Sequence, residues 1–433
     1  MQINILKRDP KVILKEEEDT GLLFNPGTGK VNTLNPAGKF IWRRLDGSST
    51  RDEIIEGLNS RFEVSDKNRL AGDFDNFISQ LRQKGMLEGS LSWPSQLKSL
   101  TFGITSKCNL SCKHCFNRNI PEEGSDMTTK KLFDVIDQLA QGGVRSISIF
   151  GGEPICHPDF KKIVEYLCRY PFSLSLNTNA TLIDRDMAHW LKGHGLPHAT
   201  VSFDGSNSKI MDMIRGQGAF DMCLKGIEAL CEEGVRVLLS ATLNKINFRD
   251  VRQMVLLGKK LKAAGIRFNH VFFGGNAPCF IKEIYLTPAE EREAIDAVWK
   301  AKEEFSDFIS GSYLTQKEKF EKLGSYKPKA DKIVIPPCGA ARNKCAIRPD
   351  GEVTPCEIIW EARCGNLKEK SLKEIWEDSE LMNSFRKPFE LDLNKLAQCQ
   401  GCKFQYLCFI GHRCQPYYYP GGIKDRSLYC WLK

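Results

Sequence analysis

Ile104-Thr105-Ser106-Lys107-Cys108-Asn109-Leu110-Ser111-Cys112-Lys113-His114-Cys115-Phe116 is the stretch on which the reading of this 433-residue chain turns. It spaces three cysteines as CxxxCxxC. Residues 100–104 read as a strand, so the cysteines sit on a loop leaving that strand's carboxyl end. Three thiolates on one short loop can wrap an iron–sulfur cube and leave the fourth iron open. A small molecule can coordinate there and receive an electron. Zinc is the alternative, because Cys-rich loops often bind it structurally. Zinc sites usually pair CxxC with a second CxxC or with histidines, which this spacing does not match.

The chain is too long for one core, so two or three domains are expected. Its 17 cysteines are many, and residues 1–9 have neither an apolar core nor a small-residue cleavage site. No window approaches the 18 apolar residues of a membrane span. Many cysteines without export point to a cytoplasmic protein with reduced, metal-binding thiols. The net charge of +8 is spread along the chain rather than massed in a run, so neither nucleic acid nor membrane is an expected partner.

Residues 1–90 lack cysteine. Short strands are expected at 12–14, 21–24 and 31–34, with a turn at 25–29. Three helical patterns follow: Phe40, Ile41 and Leu45 after Asn35-Pro36; Ile54, Ile55 and Leu58 after Ser49-Thr50; and Phe74, Phe77, Ile78 and Leu81. Strand and helix signals then alternate from about 98 to 275. The predicted strands are 146–150, 172–177, 199–203, 235–242 and 267–273. Leu132, Val135, Ile136 and Leu139 mark one intervening helix, with Thr128 and Thr129 as cap candidates. Such alternation predicts a parallel sheet with right-handed crossovers, and active groups at the carboxyl ends of its strands. Two of those ends carry motifs. Gly151-Gly152-Glu153-Pro154 follows the second strand, and paired glycines either let backbone approach a ligand or make an ordinary turn. Ser202-Phe203-Asp204-Gly205 ends the fourth, followed by Ile214-Arg215-Gly216. Residues 281–333 are charged and helical and read as a bridge.

The cysteine loop, with Phe116 after its third cysteine, resembles the signature of the radical SAM superfamily. The resemblance implies an α/β fold, a partial (β/α)6 barrel over residues 98–280. It also implies a [4Fe–4S] cluster on Cys108, Cys112 and Cys115 that binds S-adenosylmethionine. Gly151, Gly152 and Glu153 match the segment that holds the SAM amino group. Ser202 would face SAM, Arg215 would pair its carboxylate, and Asn177 and Asp204 complete the expected cofactor-binding set. Strand-end capping is the alternative for Asn177 and Ser202, and a surface ion pair for Arg215. Residues 1–90 resemble the winged-helix-like precursor-recognition domains of the pyrroloquinoline-quinone chaperone type, which bind a leader peptide as an added strand. A DNA-binding winged helix is the other reading, but a basic recognition helix is lacking.

Residues 334–433 hold nine of the cysteines. Cys345 and Cys356 flank a predicted hairpin turning at Pro349-Asp350-Gly351. Cys399, Cys402, Cys408, Cys414 and Cys430 follow. This pattern resembles the SPASM domain, with one departure: five residues rather than three separate Cys408 from Cys414. The resemblance implies two auxiliary [4Fe–4S] clusters, three in all. Cys338, Cys345, Cys356 and Cys414 would hold one, and Cys399, Cys402, Cys408 and Cys430 the other. Two four-cysteine zinc sites are the alternative. Cys156, Cys168, Cys223, Cys231, Cys279 and Cys364 read as core residues. Related sulfatase-maturing enzymes carry a basic carboxylate after the matching cysteine, which makes Glu357 the candidate base.

Together these resemblances imply an enzyme that modifies a ribosomal precursor peptide through a 5′-deoxyadenosyl radical, forming a thioether or carbon–carbon crosslink, with a flavodoxin or ferredoxin as electron donor. A protein-maturing enzyme of the sulfatase-maturase type and a zinc-binding regulator are the alternatives. Anaerobically reconstituted protein should carry about 12 irons, and replacing Cys108, Cys112 and Cys115 by alanine should remove about four. Continued 5′-deoxyadenosine formation by that triple variant would refute the assignment of the active cluster.

Overall fold

The computed structural model describes residues 6–392 except 11, 17, 19, 26–29, 63, 65, 85, 88–96, 118–124, 273, 315–331, 336–338 and 387–388. The first unit is an antiparallel sheet, β1 (Ile13–Glu16), β2 (Gly21–Asn25) and β3 (Lys30–Leu34), in that order. Three helices follow: α1 (Pro36–Arg44), α2 (Arg51–Phe62) and α3 (Lys67–Gln83). The Asn35 side chain accepts from the Gly38 N–H at 2.8 Å, and Pro36 opens α1 where no N–H is needed. Leu23, Trp42, Leu45, Ile54, Phe74 and Leu81 close a core belonging to this unit.

The second unit is built on six parallel strands: β4 (Ser99–Gly103), β5 (Ser146–Phe150), β6 (Ser173–Thr178), β7 (His198–Ser202), β8 (Arg236–Leu243) and β9 (Gly265–His270). Helix α4 (Thr129–Gln141) starts at Thr128, whose side chain accepts from the Lys131 N–H, and buries the four apolar residues expected of it. Strand alternation sorts the chemistry. In β8, Val237, Leu239, Ala241 and Leu243 are buried, and Ser240 and Thr242 between them line a cavity. Strand β7 does the same with Val201 buried and Thr200 and Ser202 on the cavity. Apolar side chains thus go to the packed face and small polar ones to the lumen.

The sheet extends past six strands at both edges. Beyond β9 lies β10 (Ile309–Gly311), again parallel. The Pro288–Phe305 helix packs on the same core through Ala294, Val298 and Ala301. Part of the stretch read as a bridge is therefore built into the barrel. β11 (Lys332–Ile335) lies outside this sheet, and beyond β4 lies β12 (Lys344–Ile347), parallel to it, with Cys345 level with Leu100 and Ile347 with Phe102. β12 turns into β13 (Glu352–Thr354), antiparallel, as the turn at residues 349–351 predicts; Gly351 has φ +90°, which favours glycine. β14 (Gly365–Asn366) completes this edge. Cys345, Ile347, Val353, Leu367 and Ile375 belong to the same apolar core as β4 to β9. Among the described residues, no helix is long and apolar enough to cross a membrane.

Candidate active site

The loop after β4 is held by backbone from three directions. The Gly152 N–H donates to Thr105 O at 2.7 Å and the Glu153 N–H to Lys107 O at 2.8 Å. The Lys113 N–H donates to Ile214 O at 2.9 Å, and the Asn276 N–H to Cys115 O at 2.8 Å. A Cβ on Gly151 would lie 2.5 Å from Thr105 O, and one on Gly152 or Gly275 would strike the carbonyls of Lys107 or Cys115. Glycine is therefore required for these contacts. The start of the loop is pinned by Asp126, whose carboxylate accepts from the Thr105 hydroxyl and the Ser106 N–H, both at 2.9 Å.

Cys108, Cys112 and Cys115 line one cavity of about 230 Å³ at the carboxyl ends of the strands. Gly151, Gly152, Glu153, Asn177, Ser202 and Arg215 line it too. Asp204 does not: it is fully buried behind the wall, 2.6 Å from Arg215 Nη2 and 3.3 Å from His114 Nε2. The charge of Arg215 is thus met from within the protein by Asp204, and Arg215 itself is buried rather than on the surface. Glu153 is also committed inwards, accepting from the Thr178 hydroxyl and the Asn179 N–H at 2.7 Å each. Burial raises its carboxyl to about 7 against those two bonds. Burial lowers the pKa of His114 to about 4, against the pull of Asp204, so its imidazole is neutral at pH 7.

The three thiols fit an iron–sulfur cluster. Burial pushes Cys108 up to about 12 and Cys112 to about 11, so they hold their protons until a metal replaces them. Donors already face the sulfurs. The Leu110 N–H lies 3.4 Å from Cys108 Sγ, Asn179 Nδ2 3.9 Å from the same atom, and Arg215 Nη1 3.7 Å from Cys112 Sγ. Hydrogen bonds to sulfur are among the terms that set cluster potential. Among the described residues, no group of three or more His, Cys, Asp or Glu side chains is drawn together tightly enough for a single metal ion.

Cys345 and Cys356 are buried on either side of the β12–β13 hairpin. Cys338, Cys399, Cys402, Cys408, Cys414 and Cys430 lie outside the described residues. Glu357 is not on the cavity; its carboxylate lies 3.4 Å from Lys344 Nζ, partly exposed. Two cysteines expected in the core are on the surface. Cys168 caps a helix end, its thiol 2.7 Å from His194 O, and Cys279 lies on the short Ala277–Phe280 helix. Thr200, Ser240, Thr242, Asn269 and His270 also line the cavity and were not singled out from sequence. For the first four the signal was present, since they are the polar members of alternating strands; His270 is level with the packed Leu243.

Residues 103–258 match the radical SAM superfamily. Residues 21–87 match coenzyme PQQ synthesis protein D, and residues 338–403 the SPASM iron–sulfur cluster-binding domain. The Fe-coproporphyrin III synthase of Methanosarcina barkeri is 30% identical over 360 residues, 77% of this chain and 87% of that protein. The antilisterial bacteriocin subtilosin biosynthesis protein AlbA of Bacillus subtilis is 25% identical over 410 residues, 91% of this chain and 85% of that one. The fold is similar to Streptococcus suis SuiB bound to its precursor peptide SuiA, with TM-score 0.58 and 18% identity over 93% of this chain and 94% of that chain. The chain belongs to the radical SAM superfamily. Within it, this is a three-part member that joins a PqqD-like domain, the barrel and a SPASM domain, and its class implies [4Fe–4S] clusters and S-adenosylmethionine.

Gly152→Ala should displace the cysteine loop, because the new Cβ meets two carbonyl oxygens, those of Ser106 and Lys107. Iron content should fall by about four per chain and 5′-deoxyadenosine formation should be lost. Gly72→Ala, where a Cβ meets nothing within 4 Å, should leave both unchanged. Iron analysis of the two variants decides this.

Proposed function

We propose that the chain is a radical SAM peptide maturase: it recruits a ribosomal precursor peptide through residues 1–90 and forms a thioether or carbon–carbon crosslink in it. The observation that carries this reading is a cofactor cavity and a PqqD-like domain on one chain. The similarity to AlbA supports it, since that match covers more of the chain than residues 91–433 alone supply. The domain limits that go with this reading are 1–90 for recognition, 98–280 for the barrel, 281–333 for the bridge and 334–433 for the SPASM region. The outer strands β1 and β3 present backbone edges to which an extended leader can add.

Cys108, Cys112 and Cys115 would hold the active cluster, which supplies the electron that cleaves S-adenosylmethionine to methionine and the 5′-deoxyadenosyl radical. Gly151 and Gly152 give the backbone a close approach to the ligand's amino end. Asn177 and Ser202 offer side chains from the lumen face of the barrel. Arg215 holds positive charge beside Cys112, where it would pair the carboxylate of bound S-adenosylmethionine, and Asp204 keeps Arg215 in place. Cys345 and Cys356, with the cysteines at 338, 399, 402, 408, 414 and 430, would carry the auxiliary clusters. A flavodoxin or ferredoxin is the donor that suits such a cluster.

A tetrapyrrole substrate is the second reading, favoured by the identity to Fe-coproporphyrin III synthase. The two separate in one experiment. Deleting residues 1–90 should leave peptide-independent SAM cleavage within about two-fold, because the barrel core does not include them. Modification of a full-length precursor peptide should fall at least about 10-fold, the loss of about 1.4 kcal/mol of leader binding. Equal turnover of the full-length peptide by the truncated enzyme would refute leader recruitment. Turnover of iron coproporphyrin but not of the peptide would establish the second reading.

A further inference from the structure

The cysteine loop is fringed by apolar side chains left in solvent. Among the described residues six large apolar side chains are exposed, and three of them stand beside this loop: Leu182, Met213 and Ile281, at 41%, 56% and 40%. Each comes from a different element, and each neighbours a residue that holds the loop. Leu182 follows Thr181, whose hydroxyl accepts from Asn109 Nδ2 at 2.8 Å. Met213, on the helix Ser208–Arg215, precedes Ile214, whose carbonyl accepts the Lys113 N–H at 2.9 Å. Ile281 opens the short helix Ile281–Ile284, from which Glu283 meets Lys113 Nζ at 2.6 Å. Single exposed apolar residues are ordinary, but three around one loop form a fringe that a partner can cover. The free charge among them is of one sign. Lys107, Lys209 and Lys282 are exposed and make no ion pair among the described residues. Lys209 lies one turn before Met213 on the same helix face. The nearby carboxylates are committed elsewhere. Glu283 is matched by Lys113, Asp212 accepts from the N–H groups of Gly218 and Phe220 at 2.8 and 2.9 Å, and Asp184 accepts from the Met187 N–H at 2.8 Å.

The loop separates the cavity from this surface. Cys108, Cys112 and Cys115 line the cavity, while Lys107, Asn109 and Ser111 beside them are exposed. S-adenosylmethionine takes the inner side, so an electron carrier has the outer side to approach from, and one seated there has the loop alone between itself and the cluster. We propose that Leu182, Met213 and Ile281, ringed by Lys107, Lys209 and Lys282, are the docking site of a reduced flavodoxin. This rests on the reading of Cys108, Cys112 and Cys115 as the active cluster, and it is independent of the substrate. A flavin carrier is the occupant whose surface matches. The outer edge of its isoalloxazine is a dimethylbenzene ring, an apolar face for the three side chains, and the acidic rim of such a protein meets the three lysines. The lysines speed encounter, and the apolar centre, once free of water, holds the complex. The exchange moves one electron. It leaves the anionic flavin hydroquinone, which becomes the neutral semiquinone, and reduces the oxidised cluster by one; no bond forms or breaks.

The test uses reconstituted holoenzyme, S-adenosylmethionine and two reductants: a recombinant bacterial flavodoxin in its hydroquinone form, and dithionite, which is too small to need a docking surface. Met213→Glu and Ile281→Glu should each lower kcat/KM for flavodoxin in 5′-deoxyadenosine formation by about 10-fold, as the loss of one interface anchor does. Both should keep wild-type iron content and wild-type rates with dithionite. Lys209→Glu combined with Lys282→Glu should slow the flavodoxin reaction and flatten its dependence on salt, because exposed charges are screened. Leu256→Glu, at an exposed apolar residue of the helix Val251–Lys260, should change none of these. A readout without turnover accompanies them. Oxidised flavodoxin should bind wild-type holoenzyme in thermophoresis, and Met213→Glu should weaken that binding by a similar factor. Wild-type flavodoxin kinetics and binding in both glutamate variants would overturn the docking site. Reduction by a ferredoxin where flavodoxin is inert would overturn the choice of carrier. Holoenzyme that cleaves no S-adenosylmethionine even with dithionite overturns the cluster reading itself, a failure distinct from the other two.

Discussion

Everything at this site depends on how close two backbones come: the cysteine loop after β4 and the Gly151-Gly152 turn after β5. The strands are paired with Gly103 level with Phe150, so the two loops leave the sheet side by side. Carbonyls of Thr105 and Lys107 then accept from the N–H groups of Gly152 and Glu153. Each such bond is worth about 1 kcal/mol net. The larger effect is steric, since any side chain at either glycine would occupy the place of a loop carbonyl. Gly275 and Asn276 repeat the arrangement from the far side, after β9. A loop of three cysteines has no regular structure to set its shape, and here its shape is set by neighbours after the second and last barrel strands.

The same economy joins the cysteine-rich region to the barrel. β12 adds to the free edge of β4, so Cys345 belongs to the continuous core rather than to a tethered module. Gly103 lies against Ile347 and Pro349, and Arg348, buried and bound to Asp350 and the Trp360 carbonyl, lines a small space shared with Ser106 and Gly152. The C-terminal hairpin therefore packs directly on the loops of the candidate active site. Residues 6–87 by contrast keep a core to themselves, as suits a unit that recruits rather than reacts.

Charge inside the barrel is handled by pairing. Asp204 is shared between Arg215 and His114; Glu153 is spent on Thr178 and Asn179; Glu291 meets His270. An unmatched charge at these depths would cost several kcal/mol, a large part of the stability margin of a typical domain. Those around Arg215 and Glu153 brace the cavity wall, and the one at His270 ties the end of β9 to the Pro288–Phe305 helix.

Local sequence determined the elements and the identity of the barrel. The alternation of apolar and polar residues placed the barrel strands within a residue or two, except that the one expected at 267–273 runs from Gly265 to His270; the Asn35-Pro36 and Thr128 caps started their helices, and Pro349-Asp350-Gly351 turned its hairpin, because these are choices made over a few adjacent residues. The cysteine spacing and the paired glycines were legible for the same reason. Tertiary structure alone decided which polar groups meet. Asp204 is turned away from the cavity towards Arg215, Glu153 is bound inwards, and Glu357 rests on Lys344, none of which spacing along the chain can convey. It also drew the Pro288–Phe305 helix, β10 and Tyr313 into the barrel and set Glu291 against His270, 21 positions earlier in the chain. Contacts between residues so far apart depend on how helices and strands pack, and packing is a property of the whole core rather than of any window of sequence.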